Sequence, residues 1–473
     1  MIAASAAALL VGCSQAPAYR PPAIPAPVAF KEAGAWVPAA PSAPVAGDHW
    51  WEAFGDPQLD ALEAQLAAQN PTLAVAYARW HEARAAVGVA KSAAMPEIDA
   101  SGQITANRQS DDRPLRGANQ PDDYGAHTLA GSASYELDLW GRVHDRVLGR
   151  IAAADAGAED AAAAKLSLEA DLADDYLALA GLDREAATLG DAVAAYARAD
   201  RVTQNRLEGG IATGIDVGRS EDLLADAQGQ LAHVHAQRAQ VEHAIAALVG
   251  ETASAFSLPP ITADLAPIAP PAMVPSALLQ RRPDIAAAER RMYAANREIG
   301  VARAAFYPSL AIGGGGGVQS TVLSGLLSAS NLFWSVGPSL SVPIFEGGRL
   351  RAHVQEARAR WDEATGQYRE TTLGAFREVE DALAGMHWLS DQAADDVRAS
   401  QAASQAARLS WNRYIEGTAS FLDVVTAQTA DLTARRAAIA AATARAQASV
   451  DLVRAMGGGW RSDHTPASAN PPA

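Results

Sequence analysis

The sequence has almost no cysteine, few aromatic residues and no excess of positive charge. Cys13 is the only cysteine among 473 residues, so the chain cannot form an internal disulfide. The formal net charge of −16 argues against nucleic acid as a partner, because phosphate binding requires a basic surface. Aromatic residues make up only 6% of the chain, but 49% of its residues are hydrophobic, which is enough to bury a large core.

Long apolar runs and catalytic motifs are also missing. Beyond the N-terminus, no stretch approaches the roughly 18–20 apolar residues of a membrane-spanning helix, so any membrane crossing would have to use strands. We find no nucleophile elbow, phosphate-binding loop, zincin helix or calcium loop. His233 and His235 are two residues apart and lie on different faces of a predicted helix. We therefore predict a protein that is not an enzyme and that holds neither a metal nor a cofactor.

The N-terminal segment resembles a bacterial lipoprotein signal. Residues 2–11 are a short apolar stretch, and Gly12 precedes Cys13. In such signals the peptide is cleaved before the cysteine, which then carries lipid; an ordinary secretory signal or a buried thiol is the alternative. We predict that residues 1–12 are a signal peptide, that Cys13 bears a covalent lipid, and that the Pro- and Ala-rich segment 13–49 is an extended tether.

The two halves of the chain are copies of one unit. Residues 71–98 align without gaps on residues 283–310, and a second block, 142–250, repeats at 349–457 with one constant shift. Self-similarity of this extent means that each half has the same structural plan. We predict a first repeat at 50–257, a linker at 258–277, a second repeat at 278–457 and a flexible tail at 458–473.

Each repeat contains two predicted strands between helices. Apolar residues alternate with small polar residues in four segments, as in transmembrane β-barrel strands, although a soluble sheet with one wet face has the same period. Four strands cannot close a barrel, and lipid does not tolerate an open edge, so strands in a membrane require at least two copies. The predicted strands are at about 97–107, 127–139, 309–319 and 331–345.

Two very long helices are the other unusual prediction. No proline occurs from Arg142 to Leu207 or from Arg349 to Tyr414, and ~65 residues of helix at ~1.5 Å per residue would be ~100 Å long. A shorter helix follows each long one after a turn. Together with the opening helix of the repeat, it nearly matches the long helix in length. We therefore predict long hairpins in which one arm is continuous and the other is built from two helices.

Several specific motifs occur between about residues 50 and 457. Together they resemble the TolC-like outer membrane factors of tripartite efflux systems, particularly the OprM/NodT-like lipoprotein branch. The motifs are Trp50-Trp51, Asn70-Pro71, Glu136-Leu137-Asp138-Leu139-Trp140-Gly141-Arg142, Arg281-Arg282-Pro283-Asp284-Ile285, Phe306-Tyr307-Pro308-Ser309-Leu310 and Pro343-Ile344-Phe345.

This resemblance implies a mainly α protein with a small transmembrane β part. Each protomer of a homotrimer would give four strands to a 12-stranded β-barrel standing on a long periplasmic α-helical barrel. The trimer would be a passive, gated exit duct for drugs or other small molecules, anchored by lipid in the outer membrane. Its partners would be a periplasmic membrane fusion (adaptor) protein and an inner-membrane pump of RND type. A duct for secreted proteins or metal ions, or an adhesin-like coiled-coil protein, is the alternative.

The same resemblance places the functional residues at two helix tips, residues 205–217 and 412–424. It implies a periplasmic gate of Tyr414, Leu422 and Asp423, in which three Asp423 carboxylates repel one another and can bind cations. It also implies that both tips contact the adaptor. Helix N-capping is the alternative role for both tip aspartates. The implied adaptor-contacting residues are Gly210, Asp216, Gly417 and Asp423.

Overall fold

The structure, a computed structural model, describes most of the predicted repeats. The predicted signal peptide, Cys13 and all of the predicted tail after Gly458 lie outside the described residues, as do parts of the tether and the linker. No helix in the described ranges is both long and apolar enough to cross a membrane. The described residues are 14–24, 29–33, 49–110, 121–263, 266–268 and 281–458.

The first repeat folds into helices on either side of a strand pair. The side chain of Asn70 caps the second helix by accepting a hydrogen bond of 2.8 Å from the Leu73 N–H, and Pro71 occupies the first helical turn. The elements are α1 (Pro57–Gln69), α2 (Pro71–Ser92), β1 (Glu97–Arg108), β2 (Asp123–Leu137), α3 (Arg142–Glu208) and α4 (Gly214–Leu248).

The second repeat has the same plan. Its long helix and the long helix of the first repeat each contain 67 residues, and the helix that follows contains 35 residues in both repeats. The two predicted long hairpins are therefore present with equal dimensions. The elements are α5 (Pro283–Ala304), β3 (Ser309–Ser320), β4 (Leu332–Ser341), α6 (Arg349–Ile415) and α7 (Phe421–Ala455).

The strands form one antiparallel sheet in the order β1-β2-β3-β4. Strand β2 begins at Asp123 rather than near residue 127, because its pairing with β1 continues as far as Arg108. Strand β4 ends at Ser341 rather than at residue 345. Ser341 pairs with Ser309, the first residue of β3, so β4 ends where its partner strand begins.

One face of this sheet is apolar in all four strands. The register places Gly102 opposite Leu129, Leu129 opposite Val318, and Val318 opposite Leu332, so these residues share a face. The other face carries small polar residues such as Ser132, and the sheet therefore separates apolar from polar side chains. The apolar face also includes Ile98, Ile104, Tyr135, Leu310, Ile312, Trp334, Val336 and Leu340.

The helices pack side by side in two tiers. In the tier next to the strands, the order of neighbours is α2, α3, α5, α6, and in the tier next to the tips it is α4, α3, α7, α6. The largest apolar cluster lies at mid-length, where α1 packs on α3 beside the ends of α4 and α7. Tyr176 is 1% exposed there and donates a hydrogen bond of 2.8 Å to Asp56. Leu258 and Ile261 of the predicted linker are buried in the same cluster.

Candidate gate at the helix tips

The two predicted tips are turns at the far ends of the long helices. The turn of the first repeat connects α3 to α4, and the turn of the second connects α6 to α7. Gly210 and Gly417 have φ angles of +71° and +78°, a region in which side chains with a Cβ are strained. The two residues predicted from the repeat as tip glycines therefore reverse the chain at equivalent positions.

Both tip aspartates take part in capping the helix that follows the turn. The Asp216 carboxylate accepts hydrogen bonds from the backbone N–H of Thr213 at 3.0 Å and from its hydroxyl at 2.8 Å. Asp423 makes the same two bonds with Ser420, at 3.0 and 2.8 Å. In each case the Thr or Ser side chain also caps the aspartate N–H. The N-cap residues are therefore Thr213 and Ser420, and Asp216 and Asp423 complete a capping box from the third helical position rather than acting as N-caps themselves. A gate role for Asp423 stays a prediction.

The structure separates the three predicted gate residues. Asp423 is exposed and Leu422 is 48% exposed, so both are open to solvent in the protomer. Tyr414 is only 6% exposed, and its ring packs edge-on against Phe421 with centroids 5.2 Å apart. Leu422 and Asp423 are therefore accessible at the surface of the protomer, whereas Tyr414 belongs to the packing between helices.

Arg206 joins the two hairpins at this level. Its guanidinium donates hydrogen bonds to the backbone carbonyls of Tyr414 at 2.8 Å and Ile415 at 2.6 Å, and it lies 4.5 Å from the centroid of the Tyr414 ring. These carbonyls end α6, where the helix dipole favours a positive charge. Arg206 therefore ties the end of α3 to the end of α6.

Sequence reasoning missed Arg206, although a signal was present. Arg206 aligns with Arg413 in the repeat, and each is the basic residue in the last turn of its long helix, where a positive charge is favourable. The side chain of Arg206 reaches the other hairpin, whereas Arg413 is exposed. Only the tertiary arrangement distinguishes the two arginines.

The tips have no arrangement typical of a catalytic or metal centre. In the part of the chain that the structure describes, no group of three or more His, Cys, Asp or Glu side chains is placed to hold a metal ion. The tip chemistry consists of capping carboxylates, one interhelical arginine and exposed aliphatic side chains. Such groups can change the width and charge of an opening.

Comparison with known proteins agrees with this architecture. The family model described as outer membrane efflux protein matches residues 62–251 and 274–458. The chain is 33% identical over 464 residues to outer membrane protein OprJ of Pseudomonas aeruginosa, covering 96% of this chain and 94% of OprJ. It is 29% identical over 460 residues to the cation efflux system protein CusC of Escherichia coli O6:H1, covering 96% of this chain and 97% of CusC.

A solved structure has the same fold along the whole molecule. The outer-membrane channel OprN matches with a TM-score of 0.83 at 30% sequence identity, covering 95% of this chain and 100% of that chain. The predicted family and fold class, long helices combined with a small barrel-forming sheet, are thereby confirmed. The chain belongs to the outer membrane efflux protein family and forms an outer-membrane efflux channel.

Proposed function

We propose that three copies of the chain form a passive, gated exit duct for small molecules, drugs included, in the outer membrane. The observation that carries this proposal is the exposed apolar face of the sheet. Ile98 is 79% exposed, Trp334 is 74% exposed and Leu340 is 69% exposed. A soluble antiparallel sheet would pack such a face on a core, whereas a membrane barrel turns it towards lipid.

The free edges of the sheet support assembly of several copies. Strand β1 pairs only with β2, and strand β4 pairs only with β3, among the described residues. Unpaired strand edges are not tolerated in lipid, and three copies would supply twelve strands, which can close a barrel. The number three comes from the family resemblance, and a next copy would join β4 to β1.

The dimensions support a duct that reaches far from the membrane. Helices α3 and α6 contain 67 residues each, or ~100 Å at ~1.5 Å per residue. Their tips would therefore lie deep in the periplasm. In this proposal an adaptor protein contacts the tip turns, and an inner-membrane pump of RND type supplies the energy and selects the compound. The adaptor-contacting residues would be Gly210, Asp216, Gly417 and Asp423.

The gate in this proposal closes at the second tip turn. Asp423 and Leu422 are open to solvent in the protomer, so three copies of each can meet near the axis. Close carboxylates repel one another and attract cations, and aliphatic side chains narrow an aqueous opening. Tyr414 would act indirectly, as the residue whose carbonyl and ring hold Arg206.

Conductance in a planar bilayer tests the duct and the gate together. The purified full chain is compared with Asp423→Ala and with the matched control Asp216→Ala, which loses the same capping bonds at the other tip. We expect a small conductance for the unmodified protein, a clear increase for Asp423→Ala, and little change for Asp216→Ala. Equal conductance in all three proteins would support the duct but contradict a gate at Asp423. An inserted protein that never conducts would overturn the duct itself.

The lipid anchor is tested separately. We propose that Cys13 carries the covalent lipid, and that Cys13→Ala removes this anchor but leaves trimers that still insert through their strands. Mass spectrometry of the N-terminal peptide measures the lipid, and native gel analysis of the membrane fraction measures trimers. A wholly soluble, monomeric variant would contradict the expectation that the strands insert and the trimer forms without the lipid.

A further inference from the structure

The segment that directly follows Cys13 is seated in a groove between the two repeats. The Ser14 hydroxyl lies 2.7 and 2.9 Å from the two carboxylate oxygens of Asp145, in the first turn of α3. Asp145 is 0% exposed, and its other side-chain partner is Arg297 of α5, at 3.4 Å. A buried carboxylate is costly without close hydrogen bonds, so Ser14 completes the environment of Asp145.

Gly300 of α5 leaves room for the backbone of this segment. A Cβ atom at Gly300 would come closest to a carboxylate oxygen of Asp145, and it would lie 2.9 Å from both the nitrogen and the Cβ of Ala16, which is closer than real contacts allow. At Gly88, its partner in the first repeat, an added Cβ would meet nothing within 4 Å in the protomer. The groove at Gly300 is therefore shaped to the residues that follow Cys13.

Tyr19 anchors the segment farther along α5. Its hydroxyl donates a hydrogen bond of 2.5 Å to Glu289, and its ring packs edge-on against Tyr293 with centroids 4.9 Å apart. Burial, followed by the hydrogen bond to Glu289, raises the pKa of Tyr19. Between these two anchors, Arg303 donates a hydrogen bond of 3.3 Å to the Gln15 carbonyl.

Four residues around the segment have no equivalent in the other repeat, although Gly300 and Arg303 correspond to Gly88 and Lys91. The internal repeat aligns the opening helix of one half with that of the other, and the long helix with the long helix. If the four residues served only to pack helices, both halves would need them. Asp145, Glu289, Tyr293 and Arg297 correspond to Ala352, Tyr77, His81 and Ala85.

The groove lies at the boundary between the helices and the strands. Asp145 is in the first turn of α3, shortly after the end of β2, and Arg303 is at the end of α5, shortly before β3. Trp140 and Tyr307 stack at this level with centroids 4.6 Å apart, and tryptophan and tyrosine are typical of membrane interfaces. One residue spans at most ~3.6 Å, so a lipid on the residue before Ser14 would attach beside this boundary.

We propose that the groove around Asp145 and Gly300 is a receptor for the chain's own lipid-bearing N-terminus. It holds the lipidated residue at the boundary between helices and strands, so that the acyl chains enter the leaflet beside the barrel. The same contacts tie α3 of the first repeat to α5 of the second. Asp145 and Gly300 are positioning residues, and the inference rests on the proposed lipidation of Cys13.

Chymotrypsin cleavage after Tyr19 in the purified, membrane-extracted full chain tests this inference. A seated Tyr19 is protected, and cleavage releases the peptide 13–19, whose mass also reports whether Cys13 carries lipid. The variants are Asp145→Ala, which removes the acceptor, and Gly300→Ala, which blocks the groove. The control is Gly149→Ala, where a Cβ atom would meet α5 at an ordinary distance of 3.5 Å from Arg297 Cβ.

We expect slow release from the unmodified protein and from Gly149→Ala, and release at least roughly tenfold faster from Asp145→Ala and Gly300→Ala. Equal rates of peptide release from all four proteins would contradict the proposal that the groove is a receptor. Fast release from Gly149→Ala as well would also overturn it, because general loosening of the helices would then explain the result. A protected peptide without lipid would preserve the groove and remove only the lipidation on which its function rests.

Discussion

Helices α3 and α6 have the same length and the same place in their repeats, but they have different surroundings. Helix α3 packs against α1, α2, α4, α5 and α7, whereas the main neighbours of α6 among the described residues are α5, α7 and the short segment Lys31–Ala33. Trp388 of α6 is 63% exposed, and its counterpart in α3 is Gly181, where an added Cβ would lie 3.1 Å from Thr443 Cγ2. The long helix of the first repeat is thus interior to the protomer, and the long helix of the second repeat is at an edge. In the proposed trimer, α2 and α4 of a next copy would supply the neighbours that α6 lacks.

A second difference between the halves is chemical. At mid-length α3 carries Glu169, which is 4% exposed and lies near the buried Glu63 of α1. The counterpart of Glu169 in α6 is Phe376, which belongs to an apolar cluster. The first repeat therefore keeps two carboxyl groups inside, where the second repeat packs an aromatic ring.

The largest expected effect comes from the edge helix. Trp388→Asp places a charge on the side of α6 opposite its partners within the protomer. Removing one large interface side chain typically costs about 2 kcal/mol or more, so we expect most of the trimer to be lost. Size-exclusion chromatography with light scattering measures the assembly. His387→Asp, which adds the same charge one residue away but leaves Trp388 in place, is the control, although the His387 ring contacts that of Trp388 with centroids 4.7 Å apart. A trimer that survives Trp388→Asp unchanged would contradict the assignment of α6 as an edge.

The next effect concerns pH. Burial, followed by repulsion from Glu169, raises the pKa of Glu63 from 4.5 to about 9. The folded protein therefore holds a proton that the unfolded chain releases, and this group's contribution to stability is lost as pH rises from about 4.5 to about 9. Glu63→Gln should remove this pH dependence and stabilise the protein by at most roughly 3 kcal/mol at pH 7.

Circular dichroism of helix melting between pH 4.5 and pH 9 measures this effect. The matched control is Glu82→Gln, at an exposed carboxyl group on α2, which should leave the melting curve and its pH dependence unchanged. A Glu63→Gln protein that melts like the unmodified protein at pH 8 would mean that Glu63 is charged and solvated in the fold.

A smaller effect distinguishes the two tip arginines. Arg206→Gln removes charge-assisted bonds to the Tyr414 and Ile415 carbonyls, and such bonds contribute about 1.5–3 kcal/mol each. We expect the open fraction of single channels to rise roughly tenfold or more. Arg413→Gln, at the equivalent but exposed position, should conduct like the unmodified protein. Identical single-channel records for both variants would show that the hairpins are held together elsewhere.

The smallest effect tests whether the tips are equivalent in stability but not in gating. Thr213→Ala and Ser420→Ala each remove a capping side chain, which costs about 1 kcal/mol. Amide hydrogen exchange should report similar loosening at the starts of α4 and α7. Conductance should rise only in Ser420→Ala, because that cap orients Asp423. A rise in both variants would assign the gate to both tips.

Much of the fold followed from local rules that act along the chain. The Pro-free stretches predicted α3 and α6 to within a residue or two, since no breaker interrupts the helical hydrogen bonds before the tip glycines. Two strand ends differed from the prediction. Pairing with β1 extended β2 to Asp123, and β4 ended at Ser341, opposite the first residue of β3, because strand length depends on the partner strand as well as on the sequence.

The site was predictable only in part, for the same reason. The repeat located both tips, and a capping role was a local alternative for Asp216 and Asp423, which take part in capping boxes whose N-cap residues are Thr213 and Ser420. The burial of Tyr414 and its bond to Arg206 involve residues 208 positions apart. No local pattern reports which of two equivalent arginines reaches the other hairpin.

The sequence by itself determined the duplicated unit, the long helices, the strand positions and the family, because periodicity, capping residues and repeats act over short distances. Only the tertiary structure decided which of the two long helices is interior and which is at an edge, and that the segment after Cys13 is seated against Asp145 and Gly300. Those outcomes depend on contacts between distant segments. Their energies arise from burial and close approach in three dimensions, which equivalent sequences experience differently.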